Sequence, residues 1–178
     1  MALKTIKENN VITKLASDVK LPKMARVKQI LDKSHIPIED IPMVVYNELK
    51  ESGIKERIKP GMSIAITCGS RGVANIAIVT KAIVDFVKDC KGEPFVFPAM
   101  GSHGGATAEG QTEILAGYGV TEAFIGCPIK SSMETVRIGE TENGIPVFAD
   151  KNAYQADGII LCNRVKAHTA FRGPYESG

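Results

Sequence analysis

The sequence predicts an α/β fold: a mostly parallel sheet with helices on both faces, plus a β-hairpin near 133–149. Three observations carry this. Two strand-length apolar runs, 63–68 and 94–100, each end in a glycine loop and lead into a helical pattern, the βαβ signature of a parallel sheet. A third apolar run, 158–163, ends in an equally polar loop. Asn143-Gly144 lies between two further apolar runs, and that pair readily takes the positive φ angles of a tight hairpin. The expected architecture is a Rossmann-like three-layer domain.

The elements follow in chain order. Val11, Ile12, Leu15, Val19 and Leu21 are expected in edge strands, and 25–31 in a short helix or turn. Ile38-Glu39-Asp40-Ile41-Pro42 places acids in a first helical turn. Ile41, Val44, Val45 and Leu49 continue at helical spacing to a stop at Gly53. After the Lys59-Pro60-Gly61 turn comes the first strand, interrupted by Gly69-Ser70-Arg71-Gly72. Ile76, Val79, Thr80, Ile83, Val84 and Val87 mark a helix down to about Lys88. Lys91-Gly92 turns the chain into the second strand, which Gly101-Ser102-His103-Gly104-Gly105 interrupts. Thr107 caps a helix to about Tyr118, with Gly119 just past its end. A further short strand is expected over 120–125. The hairpin follows, then a short helix or turn over 150–155. The third strand, read as buried, ends in Arg164-Val165-Lys166-Ala167-His168. The expected domains are an N-terminal extension, 1–58, packed on an α/β domain, 59–178.

Composition bounds the function. The chain has 178 residues, 44% hydrophobic and 24% charged, enough to bury a sizeable core. With 22 basic and 20 acidic residues the net charge is +2, which gives no electrostatic case for nucleic acid or a membrane surface. The lysines of the first third are spread out and read as a solvated face. No apolar run is long enough to span a bilayer, and the N-terminus lacks a signal-peptide core. Cys68, Cys90, Cys127 and Cys162 show no C-x-x-C pairing. A cytoplasmic protein with free thiols and no metal site is expected.

Ligands of open parallel sheets bind beyond the carboxyl ends of the strands. If the three strands are parallel neighbours, Arg71, His103 and His168 gather on one edge. Gly69-Ser70-Arg71-Gly72 can be a plain turn, or an anion site of backbone N–H groups and a guanidinium. The glycines around His103 suit a backbone that approaches a ligand. His35 has neither glycines nor a buried strand before it and is read as incidental. Histidine exchanges protons near neutral pH, so two of them in one cleft suit a racemase or epimerase, and equally the acid–base pair of a hydrolase or lyase. The dinucleotide fingerprint G-x-G-x-x-G is absent after the first strand.

The runs Gly69-Ser70-Arg71, Gly101-Ser102-His103 and 163–168, with Phe171-Arg172-Gly173 and Glu176-Ser177-Gly178 beyond, together resemble the N-terminal domain of the nickel-dependent lactate racemase family. The resemblance implies an isomerase in which a nickel-pincer nucleotide accepts a hydride from C2 of a 2-hydroxy acid. It implies that His103 and His168 alternate as bases and that Arg71 binds the substrate. Gly69, Ser70, Ser177 and Gly178 would border the cofactor. Where the family's first loop reads Asp-x-Thr-Arg this chain has Gly69 and Ser70 before the arginine, and Gly104-Gly105 replace Arg-Pro after the histidine. These departures imply a divergent branch with a different hydroxy acid. The family's cofactor-bearing lysine, nickel-binding histidine and C-terminal domain would follow Gly178. The expectation is therefore a domain fragment that lacks the cofactor and is inactive alone, with its own C-terminal domain and a second copy of the chain as further partners. A non-racemase enzyme and a nucleotide- or anion-binding module on the same fold are the alternatives.

Overall fold

The computed structural model describes residues 11, 15, 23–28, 30, 33–70, 73–164, 166–168, 170, 172–174 and 176. The chain divides into two compact units, Met1–His35 and Ile36–Gly178. In the first, Val11 and Leu15 are helical, which corrects the expected edge strands there. Ile12, Val19 and Leu21 lie outside the described residues. The stretch 23–28 has no regular structure. Met24, Val27 and Ile30 are exposed, so among the described residues no buried apolar face holds a helix in the stretch expected as a short helix or turn.

The second unit is α/β. A single 3₁₀ turn, Ile38–Asp40, leads into helix α1, Ile41–Glu51, and a one-turn helix α2, Ile54–Arg57. Strand β1, Ser63–Cys68, is buried from Ile64 onward. Helix α3, Ile76–Asp89, turns Ile76, Thr80, Ile83, Val84 and Val87 inward, the stripe its periodicity predicts. Strand β2 is Glu93–Pro98, and helix α4 is Ala108–Gly117. A one-turn helix α5, Glu122–Ile125, precedes the antiparallel hairpin of β3, Thr135–Glu140, and β4, Pro146–Asp150. A last turn of helix, α6, Lys151–Tyr154, leads to β5, Gly158–Ile160.

The strands β2-β1-β5 form one parallel sheet with β1 central, pairing Ala65 with Phe95 on one side and Ile159 on the other. Alternation splits the core. Ile64, Ile66, Cys68 and Val96 pack with α3 and with Leu115 of α4. Ala65, Phe95 and Phe97 pack with Ala153 of α6 on the opposite side. Helix α1 adds to the first layer through an edge-to-face contact of Tyr46 with Phe86, centroids 5.2 Å apart. Each fully buried Leu, Ile, Val or Phe contributes about 1.5–3 kcal/mol, so this first layer carries most of the unit's stability.

Two expectations change. The run 120–125 is a helical turn, because Val120 is spent closing α4. Its N–H reaches Leu115 O at 2.9 Å, while that of Gly119, at φ +80°, reaches Ala116 O at 2.9 Å, the paired bonds of a Schellman stop. Thr121 then caps the next turn by accepting the Phe124 N–H. The third strand is three residues long and only partly buried, with Ile159 50% and Leu161 76% exposed. Among the described residues it lies at the sheet's edge, with a strand on one flank.

Candidate functional site

The three parallel strands end at one edge, and the loops that leave them enclose a cleft of about 740 Å³. Gly69 and Ser70 follow β1, His103 follows β2, and Asn163, Arg164, Lys166 and His168 follow β5; all of them line it. The structure thus brings His103 and His168 to one cavity. Arg71, Ser177 and Gly178 lie outside the described residues. His35 belongs to the first unit, where its Nδ1 meets the Lys33 carbonyl at 3.0 Å.

His103 is held at its ring and at its backbone. Ser70 Oγ hydrogen-bonds its Nδ1, and Ser70 is 8% exposed. Gln111 of α4, 3% exposed, donates from Nε2 to Gly101 O at 2.8 Å and to His103 O at 3.4 Å. The loop also rests on the helix itself. A Cβ on Gly104 would stand 2.5 Å from Gly110 C and 2.6 Å from Gln111 N. Gly104 is therefore required by contact with α4, a protein contact in addition to the ligand approach expected of this loop's glycines. Thr107 completes the turn by accepting the Gly110 N–H at 3.1 Å.

The His168 loop is anchored at both ends. Near β5, Thr67 Oγ1 accepts the Cys162 N–H at 2.8 Å and donates to Cys162 O at 3.3 Å. Further on, Glu176 accepts the His168 N–H at 2.9 Å, and Arg172 donates to His168 O at 2.6 Å. The His168 ring accepts the Ala170 N–H at Nδ1, 3.0 Å away.

Charge along the described lining of the cleft is one-sided. Arg164 and Lys166 line it, and the described lining residues include no carboxylate. Such a surface suits an anionic ligand. Burial pushes the Cys68 thiol up to about 11 and raises that of Cys162, so both stay protonated near neutral pH and are poor nucleophiles. Among the described residues no three His, Cys, Asp or Glu side chains converge as a metal-ligand set. No helix among them is long and apolar enough to cross a membrane.

Sequence reading singled out neither Gln111 nor Gly110. A glycine within a helical pattern signals close backbone approach, and Gln111 lies one turn before the core residue Leu115. Arg164 and Lys166 stood inside the recognised 163–168 motif without an assigned role. No curated protein matches the chain. The family model of the lactate racemase N-terminal domain matches residues 10–174.

Proposed function

Because this chain belongs to the lactate racemase N-terminal domain family, we propose that it is the N-terminal catalytic half of a racemase or epimerase of 2-hydroxy acids. The observation that carries this reading is the shared cleft: His103 and His168 line one cavity together with the cationic Arg164 and Lys166. In this reading Arg71, with Arg164 and Lys166, grips the substrate carboxylate, since a guanidinium binds one bidentately. The two imidazoles take and return the hydroxyl proton as C2 loses and regains its hydride. Acid–base help of this kind contributes typically ~10²–10⁴-fold in rate.

The family's nickel-pincer nucleotide, when bound, supplies the hydride acceptor. The residues present suit such a group. The cleft, at about 740 Å³, lies within the usual ~300–1,000 Å³ of small-molecule sites. Gly69 lines it, and a Cβ there would meet nothing within 4 Å, so protein packing does not require this glycine and the floor is left open. Gly69 and Ser70 would border the nucleotide on this wall, and Ser177 and Gly178 are the further expected contacts. We place the protein in the cytoplasm, with a C-terminal domain and a second copy of the chain as its macromolecular partners.

The Ser70–His103 contact favours one second reading, a hydrolase or lyase with His103 as the single base. Incubating the natural, cofactor-loaded protein with enantiopure 2-hydroxy acids separates the two. Racemisation with conserved mass supports the proposal. A new product supports the second reading, and unchanged substrate across the panel overturns the racemase assignment.

A further inference from the structure

We propose that Ser70 is a positioning residue for His103, holding the ring through a hydroxyl that serves it in either protonation state. The inference rests on the reading of His103 as a proton carrier and deepens it. Ser70 and His103 come from loops after adjacent parallel strands, 33 residues apart in the chain, and Ser70 Oγ meets ring Nδ1. That contact leaves Nε2 as the nitrogen for exchange with a ligand.

A hydroxyl both donates and accepts. With the neutral ring protonated on Nε2, Ser70 donates to Nδ1. When Nε2 is bare, or when the ring is an imidazolium, Nδ1 carries a hydrogen and Ser70 accepts it. As Nε2 goes from bare to protonated and back, Nδ1 keeps its hydrogen and Ser70 accepts it throughout, so the Ser70 bond persists through the exchange. Ser70 is 8% exposed, so it is poorly presented as a nucleophile.

His168 has a different partner. Its Nδ1 accepts the backbone N–H of Ala170 at 3.0 Å. A backbone N–H only donates, so this contact fits the neutral ring with the proton on Nε2. The paired histidines are thus unequal. His103 has at Nδ1 a hydroxyl that can donate or accept, and His168 has there a backbone N–H that only donates.

The test reads ring nitrogens and is independent of turnover. Long-range ¹H–¹⁵N spectra of the ¹⁵N-labelled chain, assigned with His103→Gln, give the Nδ1 and Nε2 shifts of His103. The wild-type shifts should depart from those of free histidine in the same buffer. Ser70→Ala should bring them to the free values and leave His168 unchanged, and Ser70→Thr, which keeps the hydroxyl, should retain the wild-type pattern. Wild-type shifts equal to those of free histidine overturn the proposal, and that measurement stands even if Ser70→Ala does not fold. Shifts unmoved by Ser70→Ala overturn it too, as does covalent labelling of Ser70 by a fluorophosphonate. In the racemising enzyme, Ser70→Ala should lower kcat by about tenfold or more, with KM changed less than about twofold and Ser70→Thr restoring the rate. A parent enzyme that does not racemise would overturn the proposed function, and the nitrogen shifts would still decide whether Ser70 holds the His103 ring.

Discussion

Replacing Gly104 by alanine puts a methyl group where the backbone of α4 already stands. The new Cβ would lie 2.5 Å from Gly110 C, 2.6 Å from Gln111 N and 2.7 Å from Gly110 O, about 1 Å inside ordinary contact. All three atoms are backbone, so no side chain can swing aside. Overpacking of this kind costs about 1–3 kcal/mol. Gly104 also sits at φ +65°, where an L-residue costs a further ~1–2 kcal/mol. Alanine restricts the unfolded chain and offsets ~0.4–1 kcal/mol of this, for a net loss of about 2–4 kcal/mol. Gly105 supplies the control. Its φ is +67° but a Cβ there meets nothing within 4 Å, so Gly105→Ala carries only the conformational cost, net about 1 kcal/mol. Urea unfolding of both variants isolates the steric part. At ~2–4 °C per kcal/mol for a chain of this size, Gly104→Ala should also melt several degrees below Gly105→Ala. Equal midpoints for the two would refute the claim that the His103 loop is seated on α4 by backbone contact.

Other perturbations follow from the same geometry. Cys68 is pushed up to about 11 by burial, from 9.0, so the folded protein keeps a proton that the unfolded chain loses above pH 9. Its contribution is fully present below pH 9 and is lost as pH rises towards 11, by about 3 kcal/mol at ~1.4 kcal/mol per unit; denaturation curves from pH 8 to 11 should show a steeper fall for the parent than for Cys68→Ala. Glu176 accepts the N–H groups of His168 and Gly173 and pairs with Arg172. At ~1.5–3 kcal/mol for a hydrogen bond to a charged group, Glu176→Ala should speed hydrogen exchange at the His168 amide roughly ten- to hundredfold, and unchanged protection would contradict its anchoring role. Thr107→Ala removes the α4 cap seen at Gly110 and should cost about 1 kcal/mol in urea titration.

How far the sequence was readable depends on whether the signal was local. Helix α3 was legible because its apolar residues keep one period along the whole element, strand β1 because its apolar run lies between the Pro60-Gly61 turn and a glycine loop, and Gly53 and Gly119 marked real ends at φ +75° and +80°. The run 120–125 misled because a short apolar stretch has no distinguishing period, and its conformation was decided by the Thr121 cap and the stop at Val120. The third strand's apolar residues suggested burial, but its position at the sheet's edge is a topological fact that pattern does not encode. In the cleft, His103, His168, Gly69 and Ser70 were legible as strand-end residues. The Ser70–His103 bond and the Gln111 brace were not, since each joins residues brought together only by the tertiary fold. Arg71, Ser177 and Gly178 lie outside the described residues.

The central claim is that His103 and His168 are paired proton carriers in one cleft. Chiral chromatography of an enantiopure 2-hydroxy acid, incubated with the natural cofactor-loaded protein and with its His103→Ala and His168→Ala variants, tests it most directly. The parent should interconvert both enantiomers, and each variant should lose ~10²–10⁴-fold in rate while keeping the parent's circular dichroism spectrum. A folded variant that racemises at the parent's rate would contradict it.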